Sequence, residues 1–261
     1  MTFAFFTLED LWLFFCLTLR VGAIVMTLPF LGSRSLPAHF KILGIFCLSF
    51  GLYPAVPAQP FIMPQSPVHL GLLTLGEVLI GLLIGFVAQV LFTGIQLSGE
   101  IINQQMGLGL ANIFDPENGQ QNSIVTNFQY ILAVLIFFSG DAHHWFIHAM
   151  AESLHAVPLL GFTLPQTVVA LLVTLLGNAC IMAIKIAAPV MATLFLATLA
   201  MGLVARLVPQ MNIFMLSLPG NLGIGLLVLG LALPYFLGGL RTLFEQLGRD
   251  FLLVLRLLGK G

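Results

Sequence analysis

Four ionisable side chains interrupt otherwise apolar stretches of this 261-residue chain: Arg20, Glu77, Glu100 and Lys185. A charge at the middle of a membrane helix costs roughly 2.5–3.5 kcal/mol on insertion scales, so such a residue is paired or faces a polar cavity. Two charges of each sign permit two buried pairs. One use for them is a proton- or ion-coupled pathway. The other is pairing with one another, or with partner subunits, during assembly. A coupled site would gather its polar groups in one pair of broken helices, and these four are scattered, which favours pairing.

A second set lies further along. His144, His148, Glu152 and His155 follow spacings of four, four and three, with Asp141 and His143 beside them. On a helix they share one face, the arrangement a bound metal wants. A polar stripe on an amphipathic surface helix has the same width. No HExxH motif accompanies the set, and no metal site is expected. Signatures of catalysis are missing too: there is no GxSxG elbow, no P-loop and no GxGxxG. Gly107-Leu-Gly109 lacks a third glycine and a preceding strand, and Asp115-Pro116 has only its neighbour Glu117 as a second carboxylate. The expectation is a protein that is not an enzyme and needs no cofactor. Cys16, Cys47 and Cys180 stand far apart in apolar runs, which is neither a disulfide framework nor a zinc site. They read as small packing residues.

The elements that must position these residues follow from composition. The chain is 59% hydrophobic and 7% charged, with a mean hydropathy of +1.07. A soluble domain of this length would carry about 65 charged residues; this one has nine basic and ten acidic. That supply cannot cover a water-soluble surface, which excludes a soluble enzyme or a disordered chain. The net charge of −1 offers nucleic acid no basic footprint. The solvent partner is membrane lipid, and the fold class is all-α: a multi-pass helical membrane protein with long kinked helices or hairpins. Met1 to Asp10 contains no Lys or Arg, so the first apolar run is expected to stay in the mature chain rather than act as a cleaved signal.

A span needs ~20 apolar residues. Candidate runs are Leu11 to Leu31, Ile42 to Val56, Leu70 to Leu97, Ile124 to Gly140, Thr167 to Ala205 and Asn221 to Leu240. Pro54, Pro57, Pro60, Pro64 and Pro67 mark a connecting segment. Glycine is dense in the third run, where Gly81-Leu-Leu-Ile-Gly85 is a GxxxG match that reads as close helix packing. Arg34 and Lys41 place the first loop in the cytoplasm, and Arg241, Arg249, Arg256 and Lys260 place the tail there as well. Six simple spans break that agreement. Seven restore it if Thr167 to Ala205 is a hairpin turning near Lys185; otherwise some helices do not cross a bilayer in the ordinary sense. The chain reads as one helical membrane domain, 1–261, in which 241–261 forms an amphipathic cytoplasmic-side tail.

The interval from Ser98 to Ser123 is polar, glycine-rich and then apolar again. Non-helical backbone at membrane depth is tolerated only where it is buried in protein or lines a water-filled cavity. Met106, Leu108, Leu110, Ile113 and Phe114 are too apolar for a comfortable exposed loop. A plug or constriction in a pore fits both halves, with bulky tips that seal and glycines that let the segment move.

At these residues the chain resembles the FliR family of flagellar biosynthetic proteins, part of the type III secretion export gate, whose virulence-injectisome relatives share the pattern. The resemblance covers nearly the whole chain. It rests on Arg20 with Pro29 and Ser35-Leu-Pro37, and on Gly99-Glu100 with Gln105-Met-Gly-Leu108 and Asp115-Pro116. It continues through Gly140 to His144, Pro158, and Arg206-Leu-Val-Pro-Gln-Met-Asn-Ile-Phe214 with Leu218-Pro219. Pro209, Gln210, Met211 and Asn212 form the most specific stretch, and their flavour is flagellar rather than injectisome.

The resemblance implies one copy of this chain in a helical hetero-oligomer with several copies each of FliP and FliQ, wrapped by FlhB and met by FlhA on the cytoplasmic side. It implies a place in the bacterial inner membrane at the centre of the flagellar basal body, raised from the bilayer plane by its partners, and passage of unfolded flagellar subunits. It gives the segment from Met106 to Asn122 the role of plug. Met106, Leu108, Leu110, Ile113 and Phe114 would seal, Gly107 and Gly109 would flex, and Asp115-Pro116 would close the turn. Arg20, Glu77, Glu100, Lys185 and Arg206 become candidates for holding subunits in register. Two other readings stay open: a stand-alone secondary transporter of a small solute using Glu77, Glu100 and Lys185, and the equivalent subunit of a virulence injectisome.

Overall fold

The computed structural model describes residues 8–32, 37–57, 67–109, 123–159, 165–208, 210 and 213–259. The elements are α1 (Leu8–Thr27), α2 (Ala38–Leu52), a 3-10 turn (Tyr53–Ala55), α3 (Pro67–Gln105), α4 (Ile124–Ser139), α5 (Ala142–Ala156), α6 (Gln166–Leu207) and α7 (Ile213–Leu258). The chain is all-α, and among the described residues five helices are long and apolar enough to cross a membrane. The count rises to six if α4 and α5, broken at Gly140 and Asp141, form one crossing.

Of the two readings open for Thr167 to Ala205, one very long helix or a hairpin, the helix holds: α6 runs unbroken for 42 residues, about 63 Å at 1.5 Å per residue, twice the hydrocarbon thickness. The seven-span topology falls with the hairpin. No glycine or asparagine stands within six residues of Lys185, and Ala and Met there are strong helix formers. Pro189 removes one hydrogen bond from the interior of α6, but in lipid an opened turn would expose several more polar groups than the one already lost. The last run is also far longer than Asn221 to Leu240. Helix α7 spans 46 residues, about 69 Å, passing through Pro219 and Pro234 and continuing past Arg241 to Leu258.

The described residues gather into two compact units. The first comprises 1–90, 141–175 and 245–261, the second 91–140 and 176–244. In the first, α1 buries Cys16, Leu17, Val21 and Ile24, the early part of α3 buries Ile80, Ile84 and Val87, and α5 buries Phe146, Met150 and Leu154. The end of α7 adds Leu247, Phe251, Val254 and Leu258, a stripe of helical period. That stripe lies against α5: the rings of Phe146 and Phe251 meet edge to face at 4.8 Å, and Gly248 sits beneath Trp145. Glu245, Arg249 and Arg256 stay exposed.

The second unit has two centres. Phe92, Phe137 and Phe244 form a ring cluster with centroids 6.0, 5.8 and 5.4 Å apart. Ile102, Met106, Val125, Ala187, Val190 and Leu194 form the other. Coverage is uneven. About 56% of the apolar window of α3 is buried, against 17% for α6 and 11% for α7. On α6 the exposed residues include Ile181, Ile184, Phe195, Leu196, Leu199 and Leu203, a face that must meet lipid or another subunit.

Candidate gate segment and buried ion pair

Close approach of α1 and α3 starts from the GxxxG spacing. A methyl group on Gly81 would stand 2.5 Å from the Arg20 carbonyl oxygen and 2.6 Å from the Ala23 Cβ, and one on Gly85 would stand 2.5 Å from the Thr27 Cβ. Hydrogen at these positions lets the helices touch backbone to side chain. One turn before Gly81, Glu77 then meets Arg20. Arg20 Nε donates to Glu77 Oε2 at 2.6 Å, with the two side chains 1% and 0% exposed. Nη1 donates to the carbonyls of Ser153 and Val157, each at 2.9 Å, at the carboxyl end of α5, where the dipole favours a cation; the Ser153 carbonyl also accepts the Val157 N–H at 3.0 Å. One guanidinium thus ties α1, α3 and α5.

Glu100 and Lys185 do not make a second such pair. Glu100 is half-buried and accepts from Gln104 Nε2 at 3.2 Å and Thr126 Oγ1 at 3.5 Å. Lys185 stands on the exposed side of α6, and among the described residues no ion pair reaches it. Arg206 is exposed in the last turn of α6, where a cation complements the helix dipole.

Helix α3 ends on a defined cap at the start of the glycine-rich segment. Gly107 takes φ +80°. Its N–H donates to the Gln104 carbonyl at 3.0 Å, and the Leu108 N–H reaches the Asn103 carbonyl at 3.2 Å. This is a Schellman pattern, in which a left-handed residue reverses the chain and satisfies the last carbonyls. Its usual apolar contact is present, because Leu108 packs with Ile102 and Met106 in one cluster. Met106 is fully buried, and its side chain fills the space beside Gly225 of α7, where a Cβ would lie 2.7 Å from Met106 Cγ. At the far end Ser123 caps α4, its Oγ accepting from the Thr126 N–H at 3.2 Å. Gly109 is half-buried. Leu110, Ile113, Phe114, Asp115 and Pro116 lie outside the described residues, as do Pro209, Met211 and Asn212; Gln210 is exposed.

Sequence reasoning misses two parts of this arrangement. The Ser153 and Val157 carbonyls carry no signal, since every residue has one. The seat for Met106 does: Gly220, Gly223, Gly225 and Gly230 on α7 repeat the density that points to close packing in α3. Of the His-rich set, His144, His148 and His155 are exposed on α5 and Glu152 is half-buried. The ligating groups that converge are instead those of Asp141, His143 and His144.

The model of the bacterial export proteins, family 1, matches residues 11–247. The flagellar biosynthetic protein FliR of Bacillus subtilis is 31% identical over 239 residues, 89% of this chain and 90% of that protein. The protein of the same name from Escherichia coli is 29% identical over 236 residues, 90% of this chain and 89% of its own. That of Caulobacter vibrioides is 32% identical over 214 residues, 82% and 85% of the two chains.

Proposed function

The chain belongs to the bacterial export proteins, family 1, alongside the flagellar biosynthetic proteins FliR, and on that premise we propose that it is a structural and gating subunit of the flagellar type III protein export channel. It is a multi-pass membrane protein of flagellum biogenesis and protein transport. In this reading one copy builds the pore with several copies each of FliP and FliQ, is wrapped by FlhB and meets FlhA. It works in the inner membrane at the flagellar basal body, with residues 241–261 on the cytoplasmic side. Unfolded flagellar subunits pass through the assembly. No catalytic residue is required, because the energy comes from a partner ATPase or the proton motive force.

The observation that carries the gating role is the double anchoring of the segment Met106–Asn122. A plug must be held firmly at its roots while its tip is free to move aside. Here the first root is the left-handed cap at Gly107 with Met106 inserted beside Gly225, and the second is the Ser123 cap of α4. Met106 and Leu108 therefore act as roots, and the apolar seal falls to Leu110, Ile113 and Phe114. An apolar constriction stops ions by refusing to solvate them. Removing 110–114 should make cells permeable to small ions. Unchanged ion permeability together with normal export would contradict the plug. The transporter reading would need Glu77, Glu100 and Lys185 to share a site. Glu77 is instead held by Arg20, Glu100 by Gln104 and Thr126, and Lys185 by nothing among the described residues.

A further inference from the structure

The break between α4 and α5 carries a group of side chains that export leaves unused. Asp141 is the one described non-glycine residue with positive φ, at 54° with ψ 20°, a conformation that costs an L residue energy even though Asp tolerates it better than most. It occupies the N-cap of α5, where an aspartate normally accepts a hydrogen bond from an amide of the first turn. Its side chain makes no such bond. The carboxylate turns instead to the histidines, with Oδ1 3.6 Å from His144 Nδ1. The His143 and His144 rings lie 4.2 Å apart at 33°, and one ligating atom from each of the three residues falls within 4.8 Å of the other two.

We propose that Asp141, His143 and His144 form a three-ligand site for a divalent transition-metal ion of the zinc, nickel or copper type. Metal–ligand lengths of roughly 2.0–2.2 Å set tetrahedral ligands about 3.3 Å apart. The Asp141 and His144 side chains are 77% and 67% exposed, so rotation about their side-chain bonds brings the ligating atoms to that spacing without moving helices. Two imidazoles and one carboxylate suit zinc, nickel or copper better than magnesium or calcium, which prefer all-oxygen sites. The amino end of α5 opposes a cation, and the Asp141 carboxylate offsets that field. Three protein ligands leave a further position for water or an outside group. The bound ion ties the left-handed residue Asp141 to the first turn of α5. The face His144, His148, Glu152 and His155 has suitable spacing but does not converge, which makes it the natural control.

The test is calorimetric titration of the full chain with Zn2+, purified in detergent with a histidine-free tag. One ion should bind per chain. His143→Ala and His144→Ala should each weaken binding at least tenfold, and the double substitution His148→Ala/His155→Ala should leave it unchanged. Asp141→Gly removes the ligand and suits the left-handed backbone, so it should weaken zinc binding without lowering the unfolding midpoint. No zinc binding by the parent chain would overturn the proposal, and so would binding that survives in His143→Ala and His144→Ala or that is lost in the control.

Discussion

Arg20 and Glu77 stand 57 positions apart in the chain and meet at 2.6 Å in its interior. Burying two charges is expensive, and their attraction offsets that cost only when the remaining donors are also satisfied. Two helix-end carbonyls take the Nη1 donors here, and Nη2 is buried with no hydrogen-bond partner among the described residues. Removing one member leaves the other charge buried alone, which costs about 3–5 kcal/mol. Arg20→Met and Glu77→Leu should therefore each lower the unfolding midpoint of the purified chain sharply. The double substitution should recover part of the loss, short of the parent, because the Val157 carbonyl loses the Arg20 donor and the Ser153 carbonyl keeps only the Val157 N–H. Strictly additive losses would show that the two side chains do not act as a pair. The charges were legible in the sequence because each interrupts an apolar run, and the opposite signs announced pairing. Which acid meets Arg20 was not legible, since Glu77 and Glu100 are both acids that no sequence spacing ties to Arg20; the glycines at 81 and 85, which draw α1 onto that part of α3, decide it.

Between elements, glycine separates contact from exposure. Gly81→Ala drives a methyl group into the Arg20 carbonyl and the Ala23 side chain, and backbone cannot rotate away, so α1 and α3 must part. Nothing lies within 4 Å of a Cβ at Gly177, and Gly→Ala in an open helix position stabilises by roughly 0.5–1 kcal/mol. Thermal unfolding of the purified chain should then fall for Gly81→Ala and hold or rise for Gly177→Ala; equal effects would refute the close-packed reading of the α1–α3 contact. Helix type and most starting points were readable from hydropathy. Helix length was not. Pro219 and the charges from Arg241 onward look like boundaries in a sequence, yet α7 runs through both, since its backbone has no better partner than itself in lipid and its charged end has the α5 surface to pack on. The uninterrupted α6 has the same cause. Its exposed Lys185 lies on a face of Ile181, Ile184 and Phe195, and in the assembly proposed above it would meet a carboxylate on a neighbouring subunit. Lys185→Glu should abolish assembly and swimming, and intact motility would remove it from the interface.

For the molecule as a whole, helices of 39, 42 and 46 residues span about 58 to 69 Å, against about 30 Å of hydrocarbon. Counting one crossing per apolar run therefore fails to give a consistent topology. Apolar faces as thinly covered as those of α6 and α7 can meet lipid, but helices twice as long as the hydrocarbon is thick leave apolar surface beyond it that needs other neighbours. The assembly proposed above would give those faces neighbours and Lys185 a counter-charge. The most direct test is the native mass of the tagged chain extracted from its own membranes in mild detergent. The export-gate account predicts a complex several-fold heavier than the 28.3 kDa chain, holding one copy of it with multiple small helical partners. A monomer or simple dimer that binds or moves a small solute unaided would contradict it.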